Sequence, residues 1–132
     1  MRTALFVGIA GFFGSIARYG VAGLVSRTNE AFPWGTFVVN VTGAFTLGLL
    51  VAMFSQRFVV HPDLRIALTV GFLGAYTTFS TWALETFEFA EVGSIGWATL
   101  NVLGSVVAGM LAVWLGTVLG QGLRRHPPIK PA

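Results

Sequence analysis

The sequence predicts an all-α integral membrane protein of four transmembrane helices, the third of them broken at mid-membrane. Three observations carry this expectation. Of 132 residues, 55% are hydrophobic and 10% are charged, with a mean hydropathy of +0.77, whereas soluble domains carry roughly 25% charged residues. The eight Lys/Arg and five Asp/Glu fall almost entirely at the edges of apolar runs. Glycine is 17 of 132, against a usual ~7%, an enrichment that suits closely packed membrane helices. The same composition excludes other classes. With no cysteine there is neither a disulfide framework nor a thiolate metal site. No basic stripe is interleaved with aromatics, so no nucleic-acid partner is expected. The length suits a single membrane domain, 1–132, with no separate soluble unit.

The first span is expected over 4–25. These 22 residues reach about 33 Å as a helix, enough to cross a bilayer. A cleaved leader ending at Ser15-Ile16-Ala17 is disfavoured because apolar sequence resumes after Arg18. Gly8, Gly11 and Gly14 form a smooth stripe suited to helix packing. A polar loop from Arg27 to Gly35 follows, with Pro33 as a helix stop and Trp34 at interface depth. The second span, 36–55, is free of charge. Within it Thr36, Asn40 and Gly43 share a face. Asn40 has two readings, an amide bonded to a neighbouring helix or an amide aimed into a pore.

A second loop holds Arg57, His61, Pro62, Asp63 and Arg65, with His61 read as a solvated residue without a role. The third span, 64–90, contains the stretch that departs from helical habit. Within 71–85, Gly71 and Gly74 precede four hydroxyl residues, Thr77, Thr78, Ser80 and Thr81. Glycine and back-bonding hydroxyls loosen a helix. A break near 74–79 is tolerable at membrane depth only if it is buried in protein or lines a polar cavity. Glu85, Glu88 and Glu91 then read as a solvated acidic helix end. The fourth span, 94–123, carries Asn101, Ser105 and Gly109 on one face and a close-packing Gly116/Gly120 pair. The basic, Pro-rich tail 124–132 is expected to be disordered.

Four spans place both termini on one side, together with Arg2, Arg57, Arg65, Arg124, Arg125 and Lys130. Arg27 and an outward-snorkelling Arg18 mark the other side. This asymmetry puts the termini in the cytoplasm of a cell-membrane, multi-pass protein. The polar residues form no catalytic set, so an enzyme is not expected. A broken membrane helix offers other chemistry. Its first half ends in freed carbonyls that suit a cation, and its second half begins with freed N–H groups that suit an anion. Phe79 and Trp82 share a face of the second half, and an aromatic edge is the positive part of the ring quadrupole.

Four blocks resemble the small bacterial fluoride channels of the CrcB or Fluc family. They are Gly11-Phe12-Phe13-Gly14-Ser15-Ile16-Ala17-Arg18-Tyr19, then Gly35-Thr36-Phe37-Val38-Val39-Asn40-Val41-Thr42-Gly43, then the run from Gly71 through Phe79-Ser80-Thr81, and Asn101 with Ser105. The resemblance implies an antiparallel, dual-topology dimer with two fluoride pores and a structural Na⁺ ion at its centre. It implies Na⁺ ligation by the backbone carbonyls of Gly74 and Thr77. It also implies a pore lined by Asn40, Phe79, Ser80, Trp82, Asn101 and Ser105, with Arg18 and Thr36 as vestibule or structural residues. Trp82 stands where the family often repeats Phe, and Gly109 stands where it often has a hydroxyl. The implied activity is passive exit of cytoplasmic fluoride, which reduces its toxicity. The rival readings are a small four-helix multidrug exporter, which needs a membrane-embedded carboxylate that the first span lacks, and a non-conducting structural subunit. The uneven Lys/Arg distribution leaves a homodimer and a heterodimer with an oppositely oriented paralogue both open.

Overall fold

The computed structural model describes residues 1–26, 31–55 and 60–122; the expected loop cations Arg27 and Arg57 and the tail 124–132 lie outside them. Among the described residues every regular element is helical. Helix α1 spans Arg2–Ser26, α2 Trp34–Phe54 and α3 Pro62–Ile66. A π-helical segment, Ala67–Phe72, leads into α4, Leu73–Tyr76, and α5, Phe79–Glu91, precedes α6, Ile95–Gly122. Helices α1, α2 and α6 are each long and apolar enough to cross a membrane. The stretch between α2 and α6 is divided into shorter pieces.

Local chemistry sets the ends of these elements. Pro33 stands just before α2 and Pro62 in the first turn of α3, where a missing N–H leaves no helical bond unmade. His61 is not merely solvated: its Nδ1 accepts the Asp63 N–H at 3.2 Å and caps α3. Helix α5 closes with Gly93 in the left-handed region, φ +73°. The Gly93 and Ser94 N–H groups donate back to the carbonyls of Ala90 and Phe89, the bond pattern of a Schellman close. This turns the chain directly into α6.

Packing follows glycine rather than bulk. Helices α2 and α6 run against each other along their length, and a Cβ added at Gly116 or Gly48 would strike the backbone carbonyl of Phe45 or Val113 respectively. Helix α1 meets the π-helical segment in the same way, with Gly14 against the Phe72 carbonyl and Gly71 against that of Val7. The buried apolar side chains are mostly small, including Ala52, Ala67, Ala98 and Ala112 beside Val39, Leu73 and Phe32. Large apolar residues such as Phe12, Leu103, Val107 and Met110 face outward. That distribution suits a lipid solvent, in which close backbone approach and hydrogen bonding, not apolar burial, drive helix association.

Each end of the bundle has its own fastening. At one end Asp63 accepts the Thr3 hydroxyl at 2.6 Å and lies 3.3 Å from Arg2 Nε, tying the start of α1 to α3. At another, buried Phe32 packs edge-on against Trp34 and Phe37 and tilts against Trp97, so the α1–α2 connection, α2 and α6 meet on one aromatic cluster.

Candidate functional site

The site grows from two residues without helical backbone. Thr77 (φ −76°, ψ 158°) and Thr78 (φ −146°, ψ 115°) are extended, and they separate α4 from α5. Asn40, on α2, fills both backbone positions of Thr78. Its Oδ1 accepts the Thr78 N–H at 2.8 Å and its Nδ2 donates to the Thr78 carbonyl at 3.0 Å. The amide therefore replaces the neighbouring peptide that a continuous helix would have supplied. Thr78 in turn caps α5, its Oγ1 accepting the Thr81 N–H at 3.2 Å and donating to Thr81 Oγ1 at 2.9 Å.

The break frees the carbonyls at the end of α4, from Gly74 to Thr77, and those of Gly74 and Thr77 are the two the resemblance implies as Na⁺ ligands. In a continuous helix the Thr78 N–H would serve the Gly74 carbonyl, and the Thr81 N–H would serve that of Thr77. Both donors are committed elsewhere, to Asn40 and to the Thr78 hydroxyl. Gly74 and Thr77 line an open groove of about 440 Å³ together with Asn40, Phe79, Trp82 and Ser105. Nothing lies within 4 Å of the Gly74 Cβ position, so the backbone there is open to approach. Thr77 Oγ1 donates back to the Leu73 carbonyl at 3.0 Å.

A second cavity, about 370 Å³, lies on the other side of the break and is lined by Ser15, Arg18, Thr36, Thr78, Thr81 and Glu85. Its lining is more polar than that of the groove. Thr78 lines both, so the Asn40–Thr78 pair stands between them. Thr36 Oγ1 donates to Glu85 Oε1 at 2.6 Å, and the other carboxylate oxygen is enclosed without a hydrogen-bond partner. Glu85 is thus part of the cavity wall, contrary to the expectation of a solvated helix end.

The expected site residues divide accordingly. Asn40, Phe79, Trp82 and Ser105 come together on the groove, with the Phe79 and Trp82 rings 5.1 Å apart and inclined by 44°. Arg18 and Thr36 come together on the polar cavity. Ser80 is exposed, its Oγ reaching only Thr78 Oγ1 at 3.5 Å, so its hydroxyl is the least committed at the break. Asn101 is 1% exposed and sits between α5 and α6 instead of on the groove wall. Its Nδ2 donates to Thr86 Oγ1 at 2.9 Å, and its backbone carbonyl accepts the Trp82 indole N–H at 3.2 Å. Sequence reasoning passed over Thr86 and the pairing role of Glu85. The available signals were the four-residue step from Trp82 to Thr86 and the shared face of Thr36 and Asn40, which brings α2 polar groups onto α5.

A family model described as "CrcB-like protein, Camphor Resistance (CrcB)" matches residues 5–117. The chain belongs to the CrcB family. A protein of Geotalea uraniireducens described as "Fluoride-specific ion channel FluC" is 43% identical over 124 residues, covering 93% of this chain and 100% of the relative. One of Geotalea daltonii with the same description is 45% identical over 117 residues, 88% of this chain and 94% of the relative. A third, from Methylococcus capsulatus, is 47% identical over 125 residues, 93% of this chain and 55% of the relative. Family membership and the three long apolar helices make the chain a multi-pass membrane protein.

Proposed function

We propose that the chain is a fluoride-specific ion channel of the inner membrane that lets cytoplasmic fluoride leave passively. The observation that carries this reading is a helix break whose one residue, Thr78, lines both a cavity with a cation and hydroxyls and a groove walled by aromatic rings. A channel for a small anion needs donors that replace water in series without holding the ion tightly. Arg18 and the Thr81 hydroxyl offer the first set, the exposed Ser80 hydroxyl and the open N–H groups of the α5 terminus the next, and the Phe79 and Trp82 ring edges with Ser105 the last. A negative cell interior favours anion exit by about 2.3 kcal/mol per 100 mV. No carboxylate lies on α1, which argues against the exporter reading.

In this proposal α3 through α5, with the intervening π-helical segment, form the third of four crossings, broken at Thr77–Thr78. The groove is closed by a second, antiparallel subunit, either an identical chain or an oppositely oriented paralogue. The freed carbonyls of Gly74 and Thr77 are hard oxygen donors and fit a structural Na⁺. When bound, that ion would neutralise their partial negative charge beside an anion path.

Purified protein in liposomes loaded with fluoride or chloride tests the reading. Fluoride efflux without chloride efflux is the expected result. A monodisperse protein that passes neither would be a structural subunit, and the proposal would fall.

A further inference from the structure

Helix α5 has no buried residue, yet it carries both aromatic rings of the groove. Hydrogen bonds to α6 help to hold one of them, Trp82. Three hydrogen bonds form a closed cycle between α5 and α6. The Trp82 indole N–H donates to the Asn101 carbonyl at 3.2 Å, the Asn101 amide donates to Thr86 Oγ1 at 2.9 Å, and the Thr86 hydroxyl donates to the Trp82 carbonyl at 2.8 Å. Ser105 Oγ adds a longer contact, 3.4 Å, to Asn101 Oδ1. A carbonyl has two lone pairs, so the Asn101 and Trp82 carbonyls can take these bonds beside their helical ones. Away from water each of these donors would lose several kcal/mol if left without a partner, so the members of the cycle support one another.

We propose that Thr86 is a positioning residue of the fluoride path, acting with Asn101 to fix the Trp82 indole so that the ring meets the groove with its carbon edge. The inference rests on the channel reading given above. It assigns Trp82 a definite chemistry. The indole N–H is spent on α6 and is not a donor for a passing anion, leaving the C–H edge as the positive part of the ring that the ion meets. It also separates Asn101 from the ion: its amide reaches the path through Thr86 and Trp82. Thr86 does the orienting because its hydroxyl is the acceptor that holds the Asn101 amide and the donor that returns to the Trp82 backbone.

The test uses full-length protein labelled with ¹⁵N-tryptophan in nanodiscs, with Trp82→Phe to assign the Trp82 indole N–H signal. In the wild type that proton should exchange slowly with solvent; exchange at the rate of a free indole overturns the proposal without any variant. Thr86→Val removes the hydroxyl at nearly constant shape. It should shift the Trp82 indole signal and lower fluoride efflux from liposomes roughly three- to tenfold, the factor that one net hydrogen bond carries. The dimer should survive, and Thr86→Ser should restore both signal and flux. An unmoved signal in Thr86→Val, a moved signal with unchanged flux, or no rescue by Thr86→Ser each overturns it. If the wild type conducts no fluoride, the channel reading fails on that result alone, while the indole exchange still judges the brace.

Discussion

The α2–α6 contact and the α4–α5 arm are held by opposite means. Along α2 and α6 the backbones touch because side chains are absent: Gly48 and Gly116 lie against facing carbonyls, and buried Ala52 and Ala112 carry almost no bulk. Around the break the backbone is held because side chains are present: Asn40 completes Thr78, Thr78 caps α5, and Thr86 with Asn101 braces Trp82. The first region has nothing to rearrange, since its hydrogen bonds are internal to each helix. The second leaves carbonyls and hydroxyls free on the wall of an open groove, where irregular backbone at membrane depth can meet ions. On the channel reading, the difference lets one chain hold both a close-packed frame and an ion path. The glycine seam supplies a fixed frame, and the irregular arm is fastened to it at a few polar points.

Breaking the seam should have the largest effect. Gly116→Val places a side chain onto the Phe45 carbonyl and the Leu49 N–H, where neither neighbour is a flexible tip. Separation of α2 from α6 and a loss of about 3 kcal/mol or more is expected, read as loss of monodisperse protein after extraction. Next comes the clamp. Asn40→Asp keeps an acceptor for the Thr78 N–H but sets a carboxylate oxygen against the Thr78 carbonyl. The cost should be about 2 kcal/mol, since a buried polar group is left unpaired, and on the channel reading fluoride flux should fall sharply while the seam persists. Gel filtration beside liposome efflux separates the two outcomes. Near-normal flux in Asn40→Asp would mean that the path avoids the break.

How much of this was legible in the sequence follows the same division. The long apolar helices and the Gly116/Gly120 seam were readable, because hydropathy and glycine spacing report backbone approach directly. The irregularity at Thr77–Thr78 was visible as an excess of hydroxyls after two glycines. The partners were not visible. Asn40 and Thr78 are 38 residues apart and Thr36 and Glu85 are 49 apart, and no local pattern encodes such a pairing. Asn40 was therefore expected as a pore amide, with a bond to a neighbouring helix as the other reading, and its two bonds to Thr78 show the clamp that the local pattern could not specify. The π-helical segment was also hidden. Its sequence, Ala67 to Phe72, is ordinary for a helix, and its wide turn arises where Gly71 and Phe72 meet α1.

Phe79→Ile sharpens the comparison from the functional side. Phe79 is 75% exposed, so its loss should change the stability of the fold by less than about 0.5 kcal/mol while, on the channel reading, fluoride flux drops by an order of magnitude or more. A residue of the seam cannot show that separation, and equal loss of stability and flux would return Phe79 to a packing role.

The smallest effect should come from the fastening at the start of α1. Arg2→Gln removes the ion pair with Asp63 but leaves the Thr3 hydroxyl bonded to the same carboxylate. The Arg2 side chain is 71% exposed, so water and salt already screen most of its attraction. A loss of at most about 0.5 kcal/mol is expected, with unchanged flux. Raising salt should erase even this difference in the unfolding midpoint. Thr3→Val should cost more than Arg2→Gln, because the 2.6 Å hydroxyl bond is not screened in the same way and its loss leaves one carboxylate oxygen of the mostly enclosed Asp63 without a partner. If Arg2→Gln proved the more damaging of the two, charge rather than directed hydrogen bonding would be fastening this end of the chain, and the contrast between a glycine seam and polar point contacts would have to be redrawn there.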